Sequence, residues 1–220
     1  YVSLKIIPNT LVGFVGTSGA GKSTLIDVII GLIKPQQGEV TIDGTPLIKQ
    51  NLREWQNKIG FVPQTIFLTE GTIAENVAFG IPQDLINYRQ VEQALKLAHL
   101  EEFVSKLENG IYSKVGERGV QLSGGQRQRV GIARTLYYEA EVLVFDEATS
   151  ALDGITEKTI MNAIHDFTGQ KTLIIIAHRL KTVQKCDEIF MMEKARVVDR
   201  GTYQYLLENN EQFKKMSDHA

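Results

Sequence analysis

Apolar residues along this chain switch repeatedly between two spacings, and the switching sets the expected fold. Residues 11–15 (Leu-Val-Gly-Phe-Val) are a short continuous apolar run, as a strand buried on both faces requires. A glycine-rich turn follows, then helical spacing over 22–33 that stops before Pro35. Residues 39–43 alternate like a strand into a turn at Gly44, residues 58–62 are a further strand candidate, and the opening stretch 2–6 also reads as a strand. From 73 to 107 the pattern is helical: Val91, Ala94, Leu95 and Ala98 fall at i, i+3, i+4 and i+7. A helix is expected over 124–138, a strand over 142–145, and an amphipathic helix through Ile160, Ala163, Ile164 and Phe167 with Thr156 a candidate cap. Strands at 173–176, 188–192 and 196–198 and a helical tail over 202–216 complete the chain. Strands alternating with helices predict an α/β fold with a mainly parallel sheet. A helical block at about 72–138 is inserted within it.

Composition narrows the class. The 220 residues suffice for one large domain or a core with a small subdomain. With 43% hydrophobic and 23% charged residues the balance is that of an ordinary globular protein. The formal net charge of −2 supplies no basic field, which disfavours a nucleic-acid partner. The single cysteine, Cys186, cannot form an internal disulfide and fits a reducing compartment. Apolar runs such as 28–33 and 173–177 fall far short of the ~20 residues a membrane helix needs, so the domain itself is expected to be soluble. The chain opens at Tyr1 without a methionine or a secretion signal. It is expected to be an excerpt of a longer polypeptide or a trimmed one.

Two stretches carry chemistry on their own terms. Gly16-Thr17-Ser18-Gly19-Ala20-Gly21-Lys22-Ser23 matches the P-loop pattern, with the strand before it and the helix after it that the pattern demands. Glycines let the backbone curl so that successive N–H groups face phosphate oxygens, and the helix start adds its donors and its dipole. Lys22 is then expected against the β- and γ-phosphates of ATP, Ser23 on Mg²⁺, and Thr24 within reach of another phosphate. The second stretch is the apolar strand that ends in Asp146 and Glu147. Ligands gather beyond the carboxyl ends of parallel strands. Asp146 is therefore expected to meet Mg²⁺ through its water shell, and Glu147 to orient or deprotonate the attacking water. A third stretch, Leu122-Ser123-Gly124-Gly125-Gln126, is another glycine turn at a helix start, which by itself is equally well a helix cap.

Taken together, in this order, these motifs resemble those of the ABC ATPases. Leu122 to Gln126 resembles the family's signature turn, and it lies between a P-loop and an Asp-Glu strand. Gln64, after Gly60-Phe61-Val62-Pro63, resembles the Q-loop glutamine that contacts Mg²⁺ and water. Ser150-Ala151-Leu152-Asp153 resembles the D-loop, and His178 the switch histidine at the γ-phosphate. The resemblance implies a P-loop NTPase fold with a mainly parallel core sheet, a small antiparallel β part and a helical subdomain. It implies ATP hydrolysis with Mg²⁺, in which Glu147, His178 and Gln64 are catalytic and Ser23, Gln64 and Asp146 serve the metal. It also implies a head-to-tail dimer with a second ABC ATPase domain. Ser123, Gly124, Gly125, Gln126 and Asp153 of one domain then close on the nucleotide that the other holds at residues 16–24. The aromatic residue on which the family stacks adenine has no counterpart here, because Tyr1 is too near the P-loop; that contact is expected outside the chain.

Val115-Gly116-Glu117-Arg118-Gly119 and Gly71-Thr72-Ile73-Ala74-Glu75-Asn76-Val77 are similar to exporter-type members, with the X-loop in the first. They point to an exporter half at the cytoplasmic face of a membrane, fused to transmembrane helices, and in detail to bacterial flippases of lipid-linked saccharides. Rival readings are a soluble ABC ATPase acting on nucleic acid or the ribosome, and an importer ATPase. The first lacks the inserted coiled coil and basic charge, the second the added C-terminal domain.

Overall fold

A computed structural model describes residues 2–119, 121–147, 154–177 and 179–218, and the structural statements below concern these. In chain order the elements are β1 (Leu11–Val15), α1 (Lys22–Ile29), β2 (Thr41–Ile42), β3 (Thr45–Pro46), α2 (Leu52–Asn57), β4 (Ile59–Val62), α3 (Ile73–Val77), α4 (Tyr88–Leu97), α5 (Glu101–Ser105), α6 (Gly124–Tyr137), β5 (Val142–Asp146), α7 (Gly154–His165), β6 (Thr172–Ile176), β7 (Glu188–Glu193), β8 (Arg196–Gly201), α8 (Tyr203–Asn209) and α9 (Glu211–Asp218). They fall into two compact units. The first comprises Tyr1–Ile59, Glu141–Glu147 and Thr168–Ala220; the second comprises Gly60–Ala140 and Ala148–Phe167.

The first unit is built on the sheet. The strand order of the sheet is β4-β5-β6-β1-β7-β8; of these, β5, β6, β1, β7 and β8 lie in the first unit, with β5, β6, β1 and β7 parallel and β8 antiparallel on β7. The apolar runs read from the sequence are buried on both faces because they occupy the middle of this sheet: Leu11, Val12, Phe14, Val15, Leu143, Val144 and Leu173 to Ile176 are all buried. Phe14 and Phe190 stack at 5.2 Å across β1 and β7. Ile26 and Ile30 of the α1 segment join Val12, Phe14, Val144, Ile174 and Phe190 in one core cluster. The small antiparallel part is the β2–β3 hairpin, turned at Asp43 (φ 49°) and Gly44 (φ 79°), the conformation of a type I′ turn. The expected α/β architecture, with a mainly parallel sheet, is the one observed.

Several boundaries differ from expectation, each for a local reason. Helix α1 ends at Ile29 rather than residue 33 because Gly31 (φ 76°) closes it: Leu32 N–H donates to Asp27 O at 2.8 Å and Gly31 N–H to Val28 O at 3.1 Å. That pair is a Schellman motif, and glycine is the residue that adopts its left-handed position without strain. Residues 39–43 pair only at Thr41–Ile42, against Thr45–Pro46. Residues 2–6 join no ladder among the described residues, although Leu4 and Ile6 still pack on the core. The helix expected around residue 160 begins at Gly154, so Thr156 lies inside its first turn and not at its cap. The tail splits at Asn210, which is extended (φ −123°) and whose Oδ1 accepts from Phe213 N–H at 2.9 Å.

The second unit is helical apart from its first residues. The α4 face anticipated from spacing is buried at Val91, Ala94, Leu95 and Ala98. The long stretch 73–107 is broken into α3, α4 and α5. Thr72 starts α3 with a reciprocal capping box: its hydroxyl accepts from Glu75 N–H (3.1 Å), and its own N–H donates to the Glu75 carboxylate (2.6 Å). Those bonds hold the Glu75 carboxyl below the usual carboxylate range. The buried Asn76 amide is satisfied by Thr69 N–H, Thr69 O and Thr72 O at 2.9–3.1 Å.

Gly31 also packs tightly, since a Cβ there would stand 2.3 Å from Leu52 Cδ1. Gly31→Ala is expected to lower the unfolding free energy by ~2 kcal/mol, from left-handed strain and overpacking together. Urea denaturation of the two proteins reads the difference.

Candidate nucleotide site

Strand β1 ends at Val15, and the chain leaves the sheet through Gly16. Gly16 has φ 151°, and a Cβ there would lie 2.2 Å from the Met192 carbonyl oxygen at the end of β7. Any side chain would force the loop off β7. Gly19 (φ 77°) and Gly21 (φ 94°) then curl the backbone through left-handed positions. The curl is pinned from below: Ala20 N–H donates to Thr17 O (3.1 Å), and Ala195 N–H, in the β7–β8 turn, donates to Ala20 O (3.0 Å). Gly21 caps α1 and brings no side-chain acceptor to its first turn, so the donors of that turn remain available to an anion.

Lys22 opens α1 and is only 5% exposed. Its ammonium turns back into the loop and donates to Gly16 O (2.8 Å) and Thr17 O (3.2 Å). Burial pulls its pKa below the ordinary lysine value, and the carboxylates of Glu147 and Asp146 partly oppose that shift. A buried cation held among carbonyls is poised for a stronger anion than the backbone offers.

The acid end comes from β5. Asp146 is its last residue, and Glu147 follows with φ 50°, a left-handed backbone uncommon for glutamate. Glu147 N–H donates to Ile176 O at the end of β6 (3.1 Å), which fixes the strained residue in place. Glu147 thereby shares an open pocket of about 210 Å³ with Ser18, Gly19, Ala20, Gly21, Lys22, Ser23 and Thr24. That is below the ~300–1,000 Å³ of a site enclosing a whole drug-sized ligand, and it suits the phosphate end of one.

The first unit thus brings together most of the residues singled out in it. Gln64 and the Ser123–Gln126 turn belong to the second unit. Gln64 is exposed just after β4, next to Pro63, whose carbonyl accepts from the buried Gln128 Nε2 at 3.3 Å. Ser123 does act as a helix cap. Its hydroxyl accepts from Gln126 N–H (3.2 Å), and Gln126 Oε1 accepts from Ser123 N–H (2.8 Å), a capping box that starts α6. His178, Asp153 and the rest of 150–153 lie outside the described residues. Sequence reading did not anticipate the support from Met192 and Ala195. Its signal was the tight Glu193-Lys194-Ala195-Arg196 hairpin, in which Lys194 and Ala195 both take positive φ. Cys186 carries no chemistry here: burial pushes its thiol up to about 12, so it stays protonated and unreactive.

A strand, a curled glycine loop, an inward lysine and an acid at the end of β5, one strand removed from β1, define a P-loop nucleotide-binding protein. Comparison with known proteins places it further. Residues 1–150 match the ABC transporter family, and the chain belongs to it. It is 39% identical over 211 residues to the ATP-dependent lipid A-core flippase of Cupriavidus metallidurans, covering 96% of this chain and 36% of that protein. It is 39% identical over 208 residues to the flippase of the same name from Escherichia coli K12, covering 94% and 36%. The solved structure of a bacterial Atm1-family ABC exporter with ATP bound superimposes with a TM-score of 0.89 at 35% identity, over 99% of this chain and 38% of that one. The chain therefore spans about a third of the length of these relatives.

The two loop glycines are expected to fail differently. Gly16→Ala meets a backbone oxygen, whereas Gly19→Ala meets nothing within 4 Å and strains only its φ. Gly16→Ala should lose ~2–3 kcal/mol of stability and its nucleotide binding, and Gly19→Ala ~1 kcal/mol. Denaturation together with a fluorescent-nucleotide titration distinguishes them.

Proposed function

We propose that this chain is the ATP-hydrolysing motor domain of an ABC exporter, and that it drives export or flipping of a lipid or lipid-linked saccharide. The observation that carries the reading is the shared pocket of Lys22 and Glu147, with Glu147 held in a strained backbone conformation. Strain fixed at that point orients the carboxylate without reorganisation during reaction. The names of the relatives, flippase and exporter, support the transport class.

In this reading the amides of residues 19–23 and the Lys22 ammonium bind the β- and γ-phosphates of ATP. Ser23 and Asp146, together with Gln64, would hold Mg²⁺, which would neutralise charge on those phosphates. A metal carried largely by phosphates suits Mg²⁺ and asks for no dense chelating cluster; among the described residues no group of three or more His, Cys, Asp or Glu could hold one. Glu147 accepts a hydrogen bond from the attacking water and takes its proton as the water oxygen bonds to the γ-phosphorus and the bond to the ADP oxygen breaks. His178 steadies the γ-phosphate. Ser123 to Gln126 and Asp153 act on the nucleotide of a second ABC ATPase domain in a head-to-tail dimer. ATP then joins two halves that separate after hydrolysis. Residues 72–138 form the helical subdomain of a single nucleotide-binding domain spanning 1–220, fused to transmembrane helices and lying at the cytoplasmic face of a bacterial inner membrane. No nucleic acid takes part.

Glu147→Gln keeps the shape and removes the base. Its ATP affinity should stay within about twofold of the parent, while turnover falls by ~10²–10⁴. Near-normal phosphate release by that variant would reject the assignment.

A further inference from the structure

Helix α4 ends on a residue that conformational preference would not choose. Leu100 N–H donates to Leu95 O (2.9 Å) and His99 N–H to Lys96 O (3.0 Å), which makes a Schellman motif with His99 at its left-handed position, φ 56°. Glycine occupies that position without strain, and any other residue there pays for it in conformational energy. A histidine at this point makes two connections. Its ring Nε2 lies 3.1 Å from Asp166 Oδ2, just past the end of α7. Its carbonyl accepts from Arg129 Nη1 at 2.7 Å. Arg129 in turn donates from Nε to Gly125 O (3.3 Å), in the first turn of α6. The neighbouring Arg127 closes the other side of that turn with Nη1 on Leu122 O at 2.6 Å. All of these residues lie in the second unit.

We infer that Asp166, His99 and Arg129 form a brace that sets the position of the Ser123–Gln126 turn, with His99 as its joint. The inference rests on the reading above, in which that turn closes on the nucleotide of a partner domain. The turn satisfies its own hydrogen bonds through the Ser123–Gln126 capping box, so the box stabilises its local shape. The box does not aim it. Aim comes from Arg129, which ties the first helical turn to a carbonyl whose own placement depends on a left-handed residue anchored to α7. His99, Arg129 and Asp166 are positioning residues in this scheme and touch no substrate. They therefore affect contact with the partner's ATP while leaving the domain's own P-loop unchanged.

The test uses His99→Gly in the 220-residue chain carrying Glu147→Gln, the variant expected to keep ATP bound without turnover. Glycine suits the left-handed position, so the fold should not suffer. The expected result has three parts: a melting temperature equal to or above the parent's, monomer affinity for ATP within about twofold, and an ATP-driven dimer weaker by about three- to fivefold in sedimentation, the range one exposed polar side-chain contact can set. Arg129→Lys keeps the charge and loses the fork that spans both carbonyls, and it should weaken the dimer at least as much. Dimer affinity within about twofold of the parent for both variants would overturn the inference, as would an equal loss of monomer ATP affinity. If the Glu147→Gln parent itself forms no dimer with ATP, the dimer reading falls and the inference with it.

Discussion

At Gly16 the backbone passes so close to the Met192 carbonyl that no side chain fits between them. That contact lets the chain turn off β1 directly over β7 and curl back, so that the carbonyls of Gly16 and Thr17 face the ammonium of Lys22. The curl leaves the first turn of α1 without a side-chain cap. A buried cation and uncapped helix donors are both costly in isolation. A phosphate group relieves both at once. The sheet thus creates, at one point, a demand for an anion.

The two glycine turns solve the same geometric problem in opposite ways. At α1, Gly21 contributes no acceptor, and the helix start is left to an external oxygen. At α6, Ser123 and Gln126 satisfy the start reciprocally. A turn already satisfied internally gains less from an anion, which is consistent with a role that comes into play only when a second domain presents one. The carboxylates add a further asymmetry. Asp146 and Glu147 face Lys22 and limit the fall in its pKa. Glu147 also sits in a backbone conformation that a glutamate adopts only under external support, here the carbonyl of Ile176.

The parts of the fold legible in the sequence are those set by continuous burial and by motif context. Residues 11–15, 142–145 and 173–176 are apolar without interruption because they lie inside a parallel sheet, and their strands lie within a residue of expectation. The face of α4 was legible from spacing alone. What escaped was set by single backbone conformations and by distant contacts. Gly31, His99 and Asn210 end or break helices whose side-chain periodicity continues past them. The support of the phosphate loop by Met192 and Ala195 joins residues far apart in sequence through backbone atoms, which carry no residue-type signature, and the tie of the Ser123 turn to His99 depends on a backbone carbonyl as acceptor. Glu147 was legible as an acid at a strand end, but its left-handed backbone was not.

Everything the domain does with a nucleotide depends on the grip of Lys22 and the loop amides on a triphosphate. Calorimetric titration of ATP with Mg²⁺ into the parent and into Lys22→Ala measures it directly. The parent should bind saturably and the variant at least ~10-fold more weakly, the range of a charge-assisted contact to phosphate. Equal affinity in the two proteins, or none in the parent, would contradict it.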